Sequence, residues 1–163
     1  MFTKEQFIQS ISHETNVIKH LCTKFTTGDA DFTPGDKMRS TLELMQYLTM
    51  CGVGPLKSCA NNNWDRARAY LDEVAKLGFD EIPDALDTQL NDMLTTLGDI
   101  SESDFQDREV SFPWGGSATL GQALIDTTLK FMTAYRMQLF LYAKLNGRTE
   151  LNTMNCWAGV DAG

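Results

Sequence analysis

Two histidines, His13 and His20, are the whole imidazole complement of this 163-residue chain. Their spacing is about two helical turns, so on a helix both rings fall nearly in line. They lie roughly 150° from the centre of the adjoining Ile11–Ile18 apolar stripe, on the solvent side or at a contact between subunits. A two-fold contact through this helix would pair them across subunits as metal ligands. The four cysteines, Cys22, Cys51, Cys59 and Cys156, show no CxxC spacing. Two disulfides are arithmetically open, but without a visible secretory signal small buried thiols are expected. Other polar groups fall on inward faces. Glu14 lies within the apolar arc of the first helix, Gln46 about 40° from Leu42 on the second, and Tyr135 on the inward stripe of the last. With Arg136 they could line a polar pocket, and Trp114, between Pro113 and Gly115-Gly116, could close it as a lid. The competing expectation is that Glu14 pairs with Arg136 and that Trp114 pins a long loop. Neither a P-loop nor a dinucleotide fingerprint is present, and no nucleophile stands beside a recognisable base.

The elements that must position these groups are helical, with no alternating strand of useful length. Thr3-Lys4-Glu5-Gln6 has capping-box form and opens a helix with Phe7, Ile11, Ile18, Leu21, Cys22 and Phe25 on one face, ending at Gly28. A second is expected from Thr33-Pro34-Gly35-Asp36 to Gly52, striped by Met38, Leu42, Met45 and Leu48. Val53–Asn63, with Gly54-Pro55 and three consecutive Asn, reads as loop. A shorter helix follows over Trp64–Leu77, with Ala67, Leu71 and Val74 inward, and another from Pro83 to Gly98. Asp99–Ser117 is a long irregular connection whose Phe105, Phe112 and Trp114 favour packing. The longest helix, Thr119–Gly147, is apolar on more than one side, which suits a central place or a shared one. The methionines read as core filler and tail packing.

Charge and composition bound the function. With 14 Lys+Arg against 22 Asp+Glu, the net charge of −8 argues against nucleic acid and anionic membranes as partners. Apolar residues at 42% and charged ones at 22% describe an ordinary globular domain. Leu120–Leu145 is interrupted by Asp126, Lys130, Arg136 and Lys144 and is therefore no membrane span. A single cytoplasmic domain over residues 1–163 is expected, with 150–163 as a docked or partly ordered tail carrying Leu151, Met154 and Trp157.

In Ser40–Leu48, Thr119–Leu124, Tyr135–Leu139 and Tyr142–Gly147 the chain resembles the DinB-like (DinB/YfiT) superfamily. The resemblance implies an all-α four-helix bundle, here with an additional short helix, long connections and a C-terminal tail. It also implies three metal-binding His, one on the second helix and an HxxxH pair on the last, and members include thiol-dependent S-transferases. Those positions fall on Gln46, Phe131 and Tyr135. Phe has no ligating atom, Gln is a weak neutral donor, and Tyr ligates poorly unless ionised. The expectation is a metal-free, cofactor-free and non-catalytic bundle that binds a small molecule at Glu14, Gln46, Trp114, Tyr135 and Arg136. Its alternatives are a metal-dependent thiol S-transferase or hydrolase with a relocated site, and a dimeric interaction protein. A homodimer through apolar faces of the long helices is expected, unless the tail covers the same surface.

Overall fold

The computed structural model describes residues 2–65 and 67–161, without the side chains of 67 and 68, so the inward placing of Ala67 lies outside it. The first helix, α1 (Lys4–Cys22), starts at the Thr3 capping box. Gln6 N–H donates to Thr3 Oγ1 at 3.2 Å, and Thr3 N–H to Gln6 Oε1 at 2.9 Å. The helix ends at Cys22 rather than at Gly28, and a short 3-10 turn, Thr27–Asp29, follows.

The second helix also starts later than its composition suggests. Ser40 and Glu43 form a reciprocal capping box (Ser40 N–H to Glu43 Oε2, 2.7 Å; Glu43 N–H to Ser40 Oγ, 3.2 Å) that fixes α2 at Thr41–Leu48. This box prevails over Pro34, and the preceding connection leaves Met38 exposed instead of striped into the core. Val53–Asn61 is a helix, α3, not a loop. Pro55 sits in its first turn, where no intrahelical hydrogen bond is lost. Val53, Leu56 and Cys59 recur at three-residue steps and are buried. Gly52, just before it, is required by close packing, since a Cβ there would stand 2.8 Å from Met93 Sδ and 2.9 Å from Met132 Sδ.

The short helix α4 spans Ala67–Val74, and α5 spans Ile82–Gly98 with Ile82, Leu86, Met93 and Leu97 inward. The long connection after it is ordered. It holds α6 (Glu102–Asp107) and a small antiparallel pair, β1 (Glu109–Ser111) and β2 (Ser117–Thr119), with Val110 opposite Ala118. Three-residue strands are too short to give an alternating signal. The last long rod is α7 (Leu120–Leu124), a π turn (Ile125–Leu129) and α8 (Lys130–Leu145).

Helix α1 packs on α8 and α5, while α2 and α3 pack on α5 and on the α7–α8 rod. The four long elements thus form a bundle in which the first and second are not the main neighbours. No helix among the described residues is long and apolar enough to cross a membrane. All four cysteines are buried thiols without disulfide partners.

The tail lies back on α1 and α8. It forms a π turn, Met154–Ala158, and Gly159 then takes φ +69, where a Cβ would also meet Val17 Cα at 3.2 Å. Leu151, Asn155 and Cys156 are buried, but Met154 and Trp157 are about half exposed, contrary to their reading as packing residues. The α1 face carrying the two His is covered by this segment of the same chain. His13 Nε2 stands 2.7 Å from Trp157 O, and Asn155 Nδ2 stands 3.2 Å from His20 Nε2.

Burial, followed by repulsion from Lys24, holds the His20 ring below its ordinary value of 6.5, and Asp161 acts in the opposite direction. A base depressed in the folded state adds stability that is full above its unfolded value and is lost as pH falls through its folded one. The tail should therefore loosen in mild acid. Amide exchange over residues 152–160, corrected for intrinsic rates, should be faster near about pH 5 than near about pH 7.5. Replacing His20 by Gln should flatten the difference, and equal protection at both pH values would contradict the assignment to His20.

Candidate functional site

The five residues read as one pocket occupy three separate places. Glu14 and Arg136 form a buried ion pair between α1 and α8, with Arg136 Nε 2.7 Å from Glu14 Oε2. Arg136 is fully buried; its Nη1 donates to Cys156 O, and its Cζ stands 4.6 Å from the Trp157 ring centre. Tail, α8 and α1 meet at this one guanidinium. The contact between Nε and the carboxylate is close but poorly aligned as a hydrogen bond, and Arg136 Nη2 has no partner among the described residues.

Trp114 stands on the loop of the β1–β2 hairpin, not over the other four. Its ring stacks on Phe112 at 4.9 Å and meets Trp64 edge-on at 5.6 Å. Trp64 Nε1 donates to Ser111 O at 3.1 Å, so this cluster ties the hairpin to the segment after α3. The pinning role fits this geometry, and the lid over a pocket at Gln46 does not.

Gln46 and Tyr135 lie where α2 faces α4 and α8. The Gln46 amide nitrogen donates to Leu77 O at 2.7 Å and to Ala75 O at 3.3 Å, fastening α2 to the end of the α4 segment. Tyr135 packs its ring 4.5 Å from Tyr47, and the Arg39 guanidinium lies over both rings, 4.3 Å from the centre of Tyr47 and 5.6 Å from that of Tyr135. Burial, followed by the neighbouring Tyr135, pushes the Tyr47 phenol up, with Arg39 opposing.

These groups do not fit a divalent cation. Gln46 offers only one neutral amide oxygen, Phe131 offers no donor atom, and the Tyr135 ring lies 5.6 Å from the permanent positive charge of Arg39, which repels a second one. Among the described residues no cluster of three His, Cys, Asp or Glu is placed to hold a metal. Thiol chemistry is equally poorly supported, since burial pushes Cys22 and Cys51 up to about 12.

What the bundle does present here is an open groove of about 370 Å³. Gln46 and Tyr47 form its floor, Met38, Leu71, Val74 and Ala75 its apolar wall, and Lys37, Arg39 and Glu43 its charged rim. Lys37 and Arg39 continue into a second hollow of about 430 Å³ bounded by Gln138 and Tyr142. The Tyr142 hydroxyl donates to Arg39 O at 3.0 Å, fixing the backbone on which the rim stands. Lys37, Arg39 and Tyr47 were not legible as site residues. Lys37 and Arg39 lie in a connection with no periodicity, and only the late start of α2 carries them to the rim.

No family model matches the chain, and no curated protein matches it in sequence. Solved structures do match its shape. The fold is similar to that of a DinB-like protein, YjoA, from Bacillus subtilis, with TM-score 0.69 and 17% identity over 90% of this chain and 96% of that one. It is also similar to an uncharacterised protein from Escherichia coli UTI89, with TM-score 0.62 and 16% identity over 90% of this chain and 95% of that one.

Proposed function

We propose that this bundle with a DinB-like fold is a metal-free, non-catalytic protein that holds a small molecule in the groove beside Gln46. The observation that supports this most is the state of the three positions aligned with the superfamily's metal-binding His. They carry a Gln whose amide nitrogen is bonded to two carbonyls, a Phe, and a Tyr whose ring lies 5.6 Å from a guanidinium, next to an open groove with an apolar wall. The apolar wall can cover the body of a small ligand, and the polar groups of Lys37, Arg39, Glu43, Gln46 and Tyr47 can fix its orientation.

Elemental analysis of untagged protein, purified without chelators, tests the first half. The expected result is far less than one zinc or nickel per chain. Stoichiometric, tightly held metal would overturn the reading and favour a metal-dependent transferase or hydrolase with a relocated site. Thermal shift with a panel of small organic compounds tests the second half, because a ligand that binds only the native state raises the melting temperature.

A further inference from the structure

Resting on that small-molecule reading, we propose that the groove takes an organic anion, a carboxylate or phosphate on an apolar body, with Arg39 as its anchor and Lys37 as a second cation. The chain as a whole carries −8, yet this groove gathers two cations against the single carboxylate of Glu43. That carboxylate is already engaged, since Glu43 Oε2 accepts the Ser40 N–H at 2.7 Å in the α2 capping box. Neither Lys37 nor Arg39 forms an ion pair among the described residues, a state they share with Lys4, Lys76, Arg108 and Lys144, but only Lys37 and Arg39 of these line the groove.

Arg39 is also held in place. Its guanidinium lies over Tyr47 and Tyr135, and its carbonyl accepts the Tyr142 hydroxyl. No side-chain N–H of Arg39 has a hydrogen-bond partner among the described residues, so its in-plane donors stay open to a carboxylate or phosphate, whose geometry they match. An arginine already ordered loses less freedom on binding than a mobile one. Lys37 takes φ +62, in the left-handed region, at the other end of the same short segment. The wall supplies the apolar half of the match. Met38 and Leu71 line the same groove and are 44% and 40% exposed, area that an apolar ligand body would remove from water.

Gln46 separates this groove from a plain surface patch of charge. It is only 8% exposed, and its amide nitrogen is satisfied by Leu77 O and Ala75 O. Its Oε1 accepts no hydrogen bond among the described residues, so the floor keeps one acceptor for a donor group on the ligand.

The test uses four probes that share a phenyl body: phenylacetate, phenyl phosphate, neutral phenylacetamide and cationic phenethylamine, titrated into the full chain at low salt. The two anions should bind more tightly than the amide, the amine should bind least, and added salt should weaken the anions alone. The stronger of the two anions identifies carboxylate or phosphate as the head group. Replacing Arg39 by Gln should weaken the better anion roughly ten- to a hundredfold while leaving the amide unchanged. Glu43→Gln keeps the capping box, which accepts Gln as well as Glu, and should tighten the anions a few-fold. Equal binding of anion and amide, with Arg39→Gln without effect, would overturn the anion assignment and leave the small-molecule reading standing. Absence of binding by any probe, with no shift of the Gln46 side-chain amide signals, would overturn both.

Discussion

Arg136→Met is expected to destabilise the fold by about 3–5 kcal/mol, the cost of leaving a buried carboxylate without its counter-charge. Arg136 is fully buried and Glu14 is 8% exposed, so little solvent can take the guanidinium's place beside the carboxylate. The loss should also appear in two structural elements at once. Arg136 Nη1 donates to Cys156 O, and its Cζ stands 4.6 Å from the Trp157 ring centre, so the variant should raise amide exchange in the tail as well as lower the urea midpoint. Glu14→Leu combined with Arg136→Met should recover much of the loss, because removing both charges deletes the desolvation cost together with the attraction. A double-mutant cycle in urea gives the coupling directly. If Arg136→Met alone costs less than about 1 kcal/mol, the pair is solvated in solution and the tail does not seal it.

The parts of this fold legible in the sequence are those in which periodicity and capping agree. Phe7, Ile11, Ile18 and Leu21 follow the Thr3 box on α1, and Leu86, Met93 and Leu97 follow Pro83 on α5. The misread parts are those in which a local signal carried two meanings. Gly52, Gly54 and Pro55 have the composition of a loop, yet Pro55 belongs to a first helical turn and Gly52 makes room for Met93 and Met132. Thr33-Pro34 resembles a helix start, but Ser40 with Glu43 is the box that forms, and of the five intervening residues Lys37, Met38 and Arg39 line the groove. The wheel placed His13 and His20 correctly off the core, and what covers them is a tail too distant in sequence for helical geometry to connect. Glu14, Gln46 and Tyr135 were likewise placed on inward faces without their grouping. A wheel gives an azimuth on one helix and says nothing of which neighbour faces it, so Glu14 and Arg136 belong together while Gln46 is joined to the α4 segment.

Gln89→Leu should be the costliest polar-to-apolar change outside the ion pair, at about 2–4 kcal/mol, although Leu fits a helix at least as well as Gln. Gln89 lies on α5 and is 2% exposed. Its Oε1 accepts the N–H groups of Gly52 at 2.9 Å and Val53 at 3.2 Å, and its Nε2 donates to Leu48 O at 2.9 Å. One side chain therefore satisfies backbone groups on both sides of the break between α2 and α3, where neither helix can do so alone. Thr128, in the π turn of the last rod, donates to Gly52 O at 3.3 Å and holds the same junction from the other side. Leucine would leave two donors without partners and Leu48 O with only the weak Cys51 thiol donor at 3.7 Å, and the cost falls toward the low end if water enters from the adjoining hollow that Gln89 borders. The amides of Gly52 and Val53 should then exchange much faster, ahead of global unfolding, while the amides of α1 keep their protection. A loss below about 1 kcal/mol with Gly52 and Val53 still protected would show that the junction is held by packing of Gly52 against Met93 and Met132 and not by the Gln89 amide.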